Sequence, residues 1–173
     1  MVRVYLVGFM GSGKSSAGKR IAALLGYDFT DLDALLENDA GISVTEIFSK
    51  YGEKWFRKKE REVLHRTANM TDYVIACGGG TPCYFDNMEF MKEAGITCYL
   101  EMEASQLASR LRSSGTKRPL IKDIPEAGLT PWIEKKLSER MKFYELADIT
   151  VNGFSIDYSE LAEKLLKYRK DNR

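Results

Sequence analysis

The eight residues Gly8-Phe9-Met10-Gly11-Ser12-Gly13-Lys14-Ser15 match G-x-x-x-x-G-K-[ST], the pattern of a phosphate-cradling loop. Glycines let the backbone wrap closely around a phosphate and turn several N–H groups inward, and a following helix adds the positive end of its dipole. Lys14 supplies a mobile positive charge for the outer phosphates, and the Ser15 hydroxyl can ligate Mg2+. The apolar run Val4-Tyr5-Leu6-Val7 precedes the loop, and Ile21, Leu24 and Leu25 follow at helical spacing within Ala17–Leu25. That is the strand–loop–helix context the motif requires. Gly11, Ser12, Gly13, Lys14, Ser15 and Ser16 are therefore the expected contacts to a nucleoside triphosphate.

Asp31 and Asp33 stand two residues apart after the next strand-like segment, Tyr27–Thr30. An extended backbone there would point both carboxylates the same way. Phosphoryl transfer needs a carboxylate near Mg2+, and it benefits from a second one that holds and deprotonates the acceptor hydroxyl. Asp31 suits the metal side and Asp33 the acceptor; the alternative is that one of them only caps the following helix. No carboxylate ends the apolar run Val74-Ile75-Ala76-Cys77, which favours Asp31 for the metal.

Gly78-Gly79-Gly80 follows that run and puts bare backbone beside a ligand, or else simply makes a tight turn. Arg57, with Glu60 three residues on to orient it, and Arg140 each carry a planar fork that fits a carboxylate. Alone, either is more often a solvated surface residue; together at the strand ends they suit an anionic acceptor. Tyr51, Trp55 and Phe56 are candidates to wall that acceptor's pocket. Arg118 can stack on a base or neutralise developing phosphate charge. The lone His65 and the solitary Cys83 have no evident catalytic partner.

These residues need elements to hold them. Strands are expected at Val4–Val7, Tyr27–Thr30, Tyr73–Cys77, Ile96–Glu101 and Ile149–Val151. Helices are expected over Ala17–Leu25, Asp31–Glu37, from the capping box Ser43-Val44-Thr45-Glu46, and over Glu53–Ala68, Asp86–Glu93, Ala104–Arg112, Pro131–Leu146 and Tyr158–Tyr168. The alternation predicts a parallel sheet covered by helices on both faces, with ligands beyond the strands' carboxyl ends. The segment from Ser113 to about Thr130 lacks periodicity and reads as a lid. A length of 173 residues suits one domain, and a net charge of +1 argues for neither nucleic acid nor membrane. Three cysteines without metal spacing or a secretion signal read as reduced cytoplasmic thiols.

The constellation resembles the shikimate kinases, among the nucleoside-monophosphate-kinase-like P-loop enzymes. Besides the P-loop, the resemblance rests on Thr30-Asp31-Leu32-Asp33, Phe56-Arg57-Lys58-Lys59-Glu60, Gly78-Gly79-Gly80-Thr81, Arg118-Pro119-Leu120 and Arg140-Met141-Lys142-Phe143-Tyr144. It implies a three-layer α/β/α fold with a five-stranded parallel sheet of order 2-3-1-4-5, an acceptor-binding region near 32–60 and a mobile lid near 112–125. It implies ATP-dependent phosphorylation of the shikimate 3-hydroxyl with Mg2+, by a cytoplasmic monomer. By the same resemblance Asp33, Arg57, Gly79, Gly80 and Arg140 hold shikimate, and Asp33 is the base. Lys14 steadies the transferred phosphate, Ser15 and Asp31 serve the metal, Arg118 covers the nucleotide, and Glu60 orients Arg57.

Two positions depart from the family pattern. An arginine is usual seven residues before the lid arginine, where this chain has Leu111; Arg110 and Arg112 flank it, and either can take its place. A basic residue near the adenine is replaced by Gly153-Phe154-Ser155-Ile156. The rivals are another small-metabolite kinase, such as a gluconate kinase, and a non-enzymatic nucleotide-binding domain. No N-K-x-D guanine motif is present.

Overall fold

The computed structural model describes residues 2–113, 121 and 124–171. The first strand, β1 (Arg3–Val7), is central because its sequence suits burial on both faces. Val4, Tyr5, Leu6 and Val7 are wholly buried. It pairs in parallel with β3 (Tyr73–Ala76) on one side and β4 (Ile96–Glu101) on the other; β2 (Asp28–Asp31) extends the sheet beyond β3, and β5 (Ile149–Asn152) beyond β4. The order is β2-β3-β1-β4-β5, as the resemblance implied.

The period-two alternation of β1 splits the core into two layers. Val4 and Leu6 pack with Ala17 and Ile21 of α1 (Lys14–Leu25) and Leu161 and Leu165 of α7 (Tyr158–Asp171). Tyr5 and Val7 face the opposite layer, built from α2 (Leu32–Ala40), α3 (Val44–Arg66), α4 (Asn87–Ala94), α5 (Ala104–Ser113) and α6 (Glu126–Tyr144). Gly18 lets α1 lie against β2: a Cβ there would come within 2.5 Å of the Phe29 ring. No helix among the described residues is long and apolar enough to cross a membrane.

Two boundaries differ informatively from expectation. The helix expected from Pro131 starts at Glu126, so Pro131 lies inside α6. As the sixth residue of α6 it lies past the first-turn N–H groups that have no intrahelical partner, so it removes one i→i−4 hydrogen bond from the helix. The helices expected from Ser43 and over Glu53–Ala68 run as one element, α3, broken at Gly52, whose φ of 77° and ψ of 172° are non-helical. Ser43 and Glu46 form the expected reciprocal cap.

Candidate active site

Three strand ends converge on two adjoining cavities. At the end of β1, Gly11 and Gly13 adopt φ of 84° and 88°, a left-handed conformation that side chains resist. Gly13 caps α1, so the helix N-terminus follows directly from the loop. Lys14 is the first residue of α1 and is buried; its Nζ donates to the carbonyls of Gly8 (2.8 Å) and Phe9 (2.9 Å), bracing the loop from within. Gly11, Gly13, Lys14, Ser15 and Ser16 line a cavity of about 430 Å³. Ser12 does not line it: it is buried beneath the loop, 3.5 Å from the Lys14 ammonium.

At the end of β2, the Asp31 carboxylate has two partners. It caps α2, one carboxylate oxygen accepting from the Asp33 N–H at 3.0 Å. The other accepts from the Ser15 hydroxyl at 2.6 Å. Asp33 reaches the same cavity from the first turn of α2, not by strand alternation, because β2 stops at Asp31. Burial, with the neighbouring Asp31 and Glu60 charges, outweighs nearby Lys14 and lifts the Asp33 carboxyl from 3.8 to about 6.

At the end of β3, the glycines serve close approach. A Cβ on Gly79 would come 2.9 Å from the Met10 nitrogen of the P-loop, and one on Gly80 would come 2.7 Å from Arg57 Nη2. Arg57 is buried and lies in a second cavity of about 110 Å³, with Phe48, Phe56, Gly80 and Arg140. Burial pulls its guanidinium down, but Glu60 and Glu53 outweigh that and keep it above its ordinary range. Glu60 is fully buried; one of its carboxylate oxygens accepts from Arg57 Nη1 at 2.8 Å, the other from the Thr81 hydroxyl at 2.6 Å. Arg140 sits over the Phe9 ring, and its Nη1 is buried with no hydrogen-bond partner among the described residues. A buried, unmatched donor is costly, so an arginine held this way favours a ligand bearing acceptor oxygens.

The two cavities share Met10, Asp33, Gly78 and Gly79. Asp33 therefore stands where a phosphate-holding space meets a space flanked by two arginines.

Some expectations need correcting. Of the three aromatics proposed as pocket walls, only Phe56 lines the second cavity; Phe48 joins it, their rings 4.4 Å apart. Tyr51 and Trp55 stack on each other on the outer face, 44% and 37% exposed. The break at Gly52 resets the helical phase, so position 48 and position 56 face inward together. Between the two candidate arginines, Arg110 is the one at the phosphate cavity: it donates to the Ser12 carbonyl (3.2 Å) and the Gly153 carbonyl (3.3 Å). Arg112 turns away and pairs with Glu126. Arg118 and most of the expected lid, 112–125, lie outside the described residues. Sequence reasoning missed Thr81, Tyr84 and Glu53 around Arg57, and gave no role to Tyr144, whose hydroxyl donates to the Gly79 carbonyl at 2.5 Å. Their signal lay only in spatial proximity. Burial pushes the Cys83 thiol up to about 11, which argues against a nucleophile.

A model of the family described as "Shikimate kinase" matches residues 10–169. The chain belongs to the shikimate kinase family. A shikimate kinase of Parabacteroides distasonis is 40% identical over 171 residues, covering 96% of this chain and 99% of that protein. The crystal structure of the Bacteroides thetaiotaomicron shikimate kinase superposes with a TM-score of 0.89 at 35% identity, covering 98% of each chain. That of Acinetobacter baumannii, solved in complex with shikimate, superposes with a TM-score of 0.84 at 34% identity, covering 100% of this chain and 95% of that one. A gluconokinase from Sinorhizobium meliloti, at 18% identity and a TM-score of 0.58, shares the fold alone. The P-loop, the D-x-D pair and the triple glycine of this shikimate kinase family member are thus the strand ends that meet at Asp33.

Proposed function

We propose that the two cavities form a single phosphoryl-transfer site that moves the γ-phosphoryl of ATP to the 3-hydroxyl of shikimate. The observation that carries this reading is Asp33, shared by the phosphate-loop cavity and by the cavity holding Arg57 and Arg140. The P-loop N–H groups and Lys14 hold the donor's phosphates, with Arg110 flanking the nucleotide. Arg57 and Arg140 take the acceptor's carboxylate, and the Gly79 and Gly80 backbone closes around its ring. The acceptor's hydroxyl oxygen attacks the γ-phosphorus, and its proton passes to an Asp33 carboxylate oxygen. The bond from that phosphorus to the β–γ bridging oxygen breaks, leaving ADP. Lys14 meets the charge spread over the transferred oxygens. We assign Arg118 to the same nucleotide on the family resemblance.

The Ser15 hydroxyl and the Asp31 carboxylate, 2.6 Å apart at the cavity wall, are hard oxygen donors of the kind Mg2+ takes while keeping several of its waters. When bound, Mg2+ supplies charge neutralisation to the β- and γ-phosphates. The unpaired thiols of Cys77, Cys83 and Cys98 support a reducing, cytoplasmic setting.

ADP release with shikimate, gluconate or nucleoside monophosphates as acceptor tests the proposal. Release that depends on shikimate is expected; turnover with gluconate and none with shikimate would overturn it.

A further inference from the structure

The Arg57 guanidinium carries two carboxylates held very differently. Glu60 is wholly buried and anchored a second time by Thr81. Glu53 is half exposed, its side chain 49% accessible, and its Oε1 accepts from Arg57 Nε at 3.3 Å and Nη2 at 3.1 Å. That edge of the guanidinium is one of the two forks on which arginine binds a carboxylate in two hydrogen bonds. A third donor, the Tyr84 hydroxyl at 2.9 Å, holds the same Glu53 oxygen, while the Tyr84 ring lies against the guanidinium at 4.2 Å. The acceptor's carboxylate would thus meet an Arg57 already shared by two negative groups, of which only Glu53 can swing into solvent.

We propose that Glu53 is a displaceable placeholder for the acceptor's carboxylate on Arg57. With the acceptor cavity empty, it prevents a buried guanidinium from standing half-paired; when the acceptor arrives, Glu53 gives up the Nε/Nη2 edge and turns outward. It is a positioning residue that acts through Arg57, and it sets the acceptor's affinity by competing with it. Tyr84 sets how tightly the placeholder is held. The inference rests on Arg57 binding that carboxylate.

The test is the dissociation constant, by titration calorimetry, of shikimate and of its uncharged carboxamide for four variants. Glu53→Gln should tighten shikimate several-fold. Tyr84→Phe keeps both the charge and the ring against Arg57 and removes only the third hydrogen bond, so it should tighten shikimate about twofold. The carboxamide should gain from neither change. Glu139→Gln removes a surface charge next to Arg140 without touching Arg57 and should leave shikimate affinity as it was. Weaker or unchanged shikimate binding in Glu53→Gln and Tyr84→Phe, equal gains for the carboxamide, or an equal gain in Glu139→Gln would each overturn the proposal. Arg57→Ala separates the two levels of inference: it should weaken shikimate at least about thirtyfold. If it does not, the assignment of Arg57 itself fails; if it does while the Glu53 and Tyr84 variants show no gain, only the placeholder fails.

Discussion

Asp33 is where competing requirements meet. A base must be ionised at working pH yet basic enough to take a hydroxyl proton, and a value of about 6 satisfies both. Asp33→Asn should leave ATP binding nearly intact and cut turnover by a factor on the order of 100 or more, measured as ADP release. In the parent enzyme, kcat/KM should fall about tenfold per pH unit below about 6, as the carboxylate takes up its proton. The same shift makes Asp33 a burden on stability. Its folded value is raised, so the fold prefers the protonated form, and stability is lost as pH rises from about 4 through about 6. Asp33→Asn should therefore stabilise the protein at pH 7 by about 1–3 kcal/mol, a gain that vanishes near pH 4. Denaturant midpoints at the two pH values would check it, and equal midpoints for variant and parent at pH 7 would refute the assigned environment.

β1, β2 and β3 each end in one part of the site, and small residues set how close those parts come. The turn after β3 is the tightest case: Gly80 carries no Cβ because Arg57 Nη2 occupies the place where one would go. The guanidinium cannot easily yield, since Glu60 and Thr81 fix it from the buried side. Gly80→Ala should weaken shikimate binding by about 1–3 kcal/mol, the range for overpacking a fixed neighbour. Gly80 lines the acceptor cavity and not the phosphate-loop cavity, so ADP affinity should hold; parallel titrations with each ligand would detect any other pattern. The α3 break at Gly52 acts over a longer range, turning Phe48 and Phe56 onto the acceptor while leaving Tyr51 and Trp55 outside.

For the molecule as a whole, the sheet joins two core layers, and the site lies along its carboxyl edge. Ligands that engage several strand ends at once should stabilise all of it. ADP and shikimate, each at about 100 times its dissociation constant, should each add about 2.7 kcal/mol to the unfolding free energy. Thermal melts with each ligand alone and both together would check this; a shift with ADP but none with shikimate would contradict the acceptor assignment.

Local chemistry was readable from the chain by itself. The P-loop, the Ser43–Glu46 cap, the five strands and the D-x-D pair depend on neighbours in sequence, so pattern and spacing suffice to find them. The sheet order came from the family resemblance, and the observed order of the strands bears it out. What only the tertiary structure decided are the pairings between distant segments. Arg110, not Arg112, reaches Ser12, because residues two apart on α5 face opposite sides and the packing selects one. Asp33 lies between two cavities because the β2 and β3 ends are adjacent in the sheet. Glu53 and Tyr84, 31 residues apart, meet on one guanidinium. Helical and strand periodicity govern which face a residue takes; which distant residue it meets there depends on how the elements pack, and that information is not local.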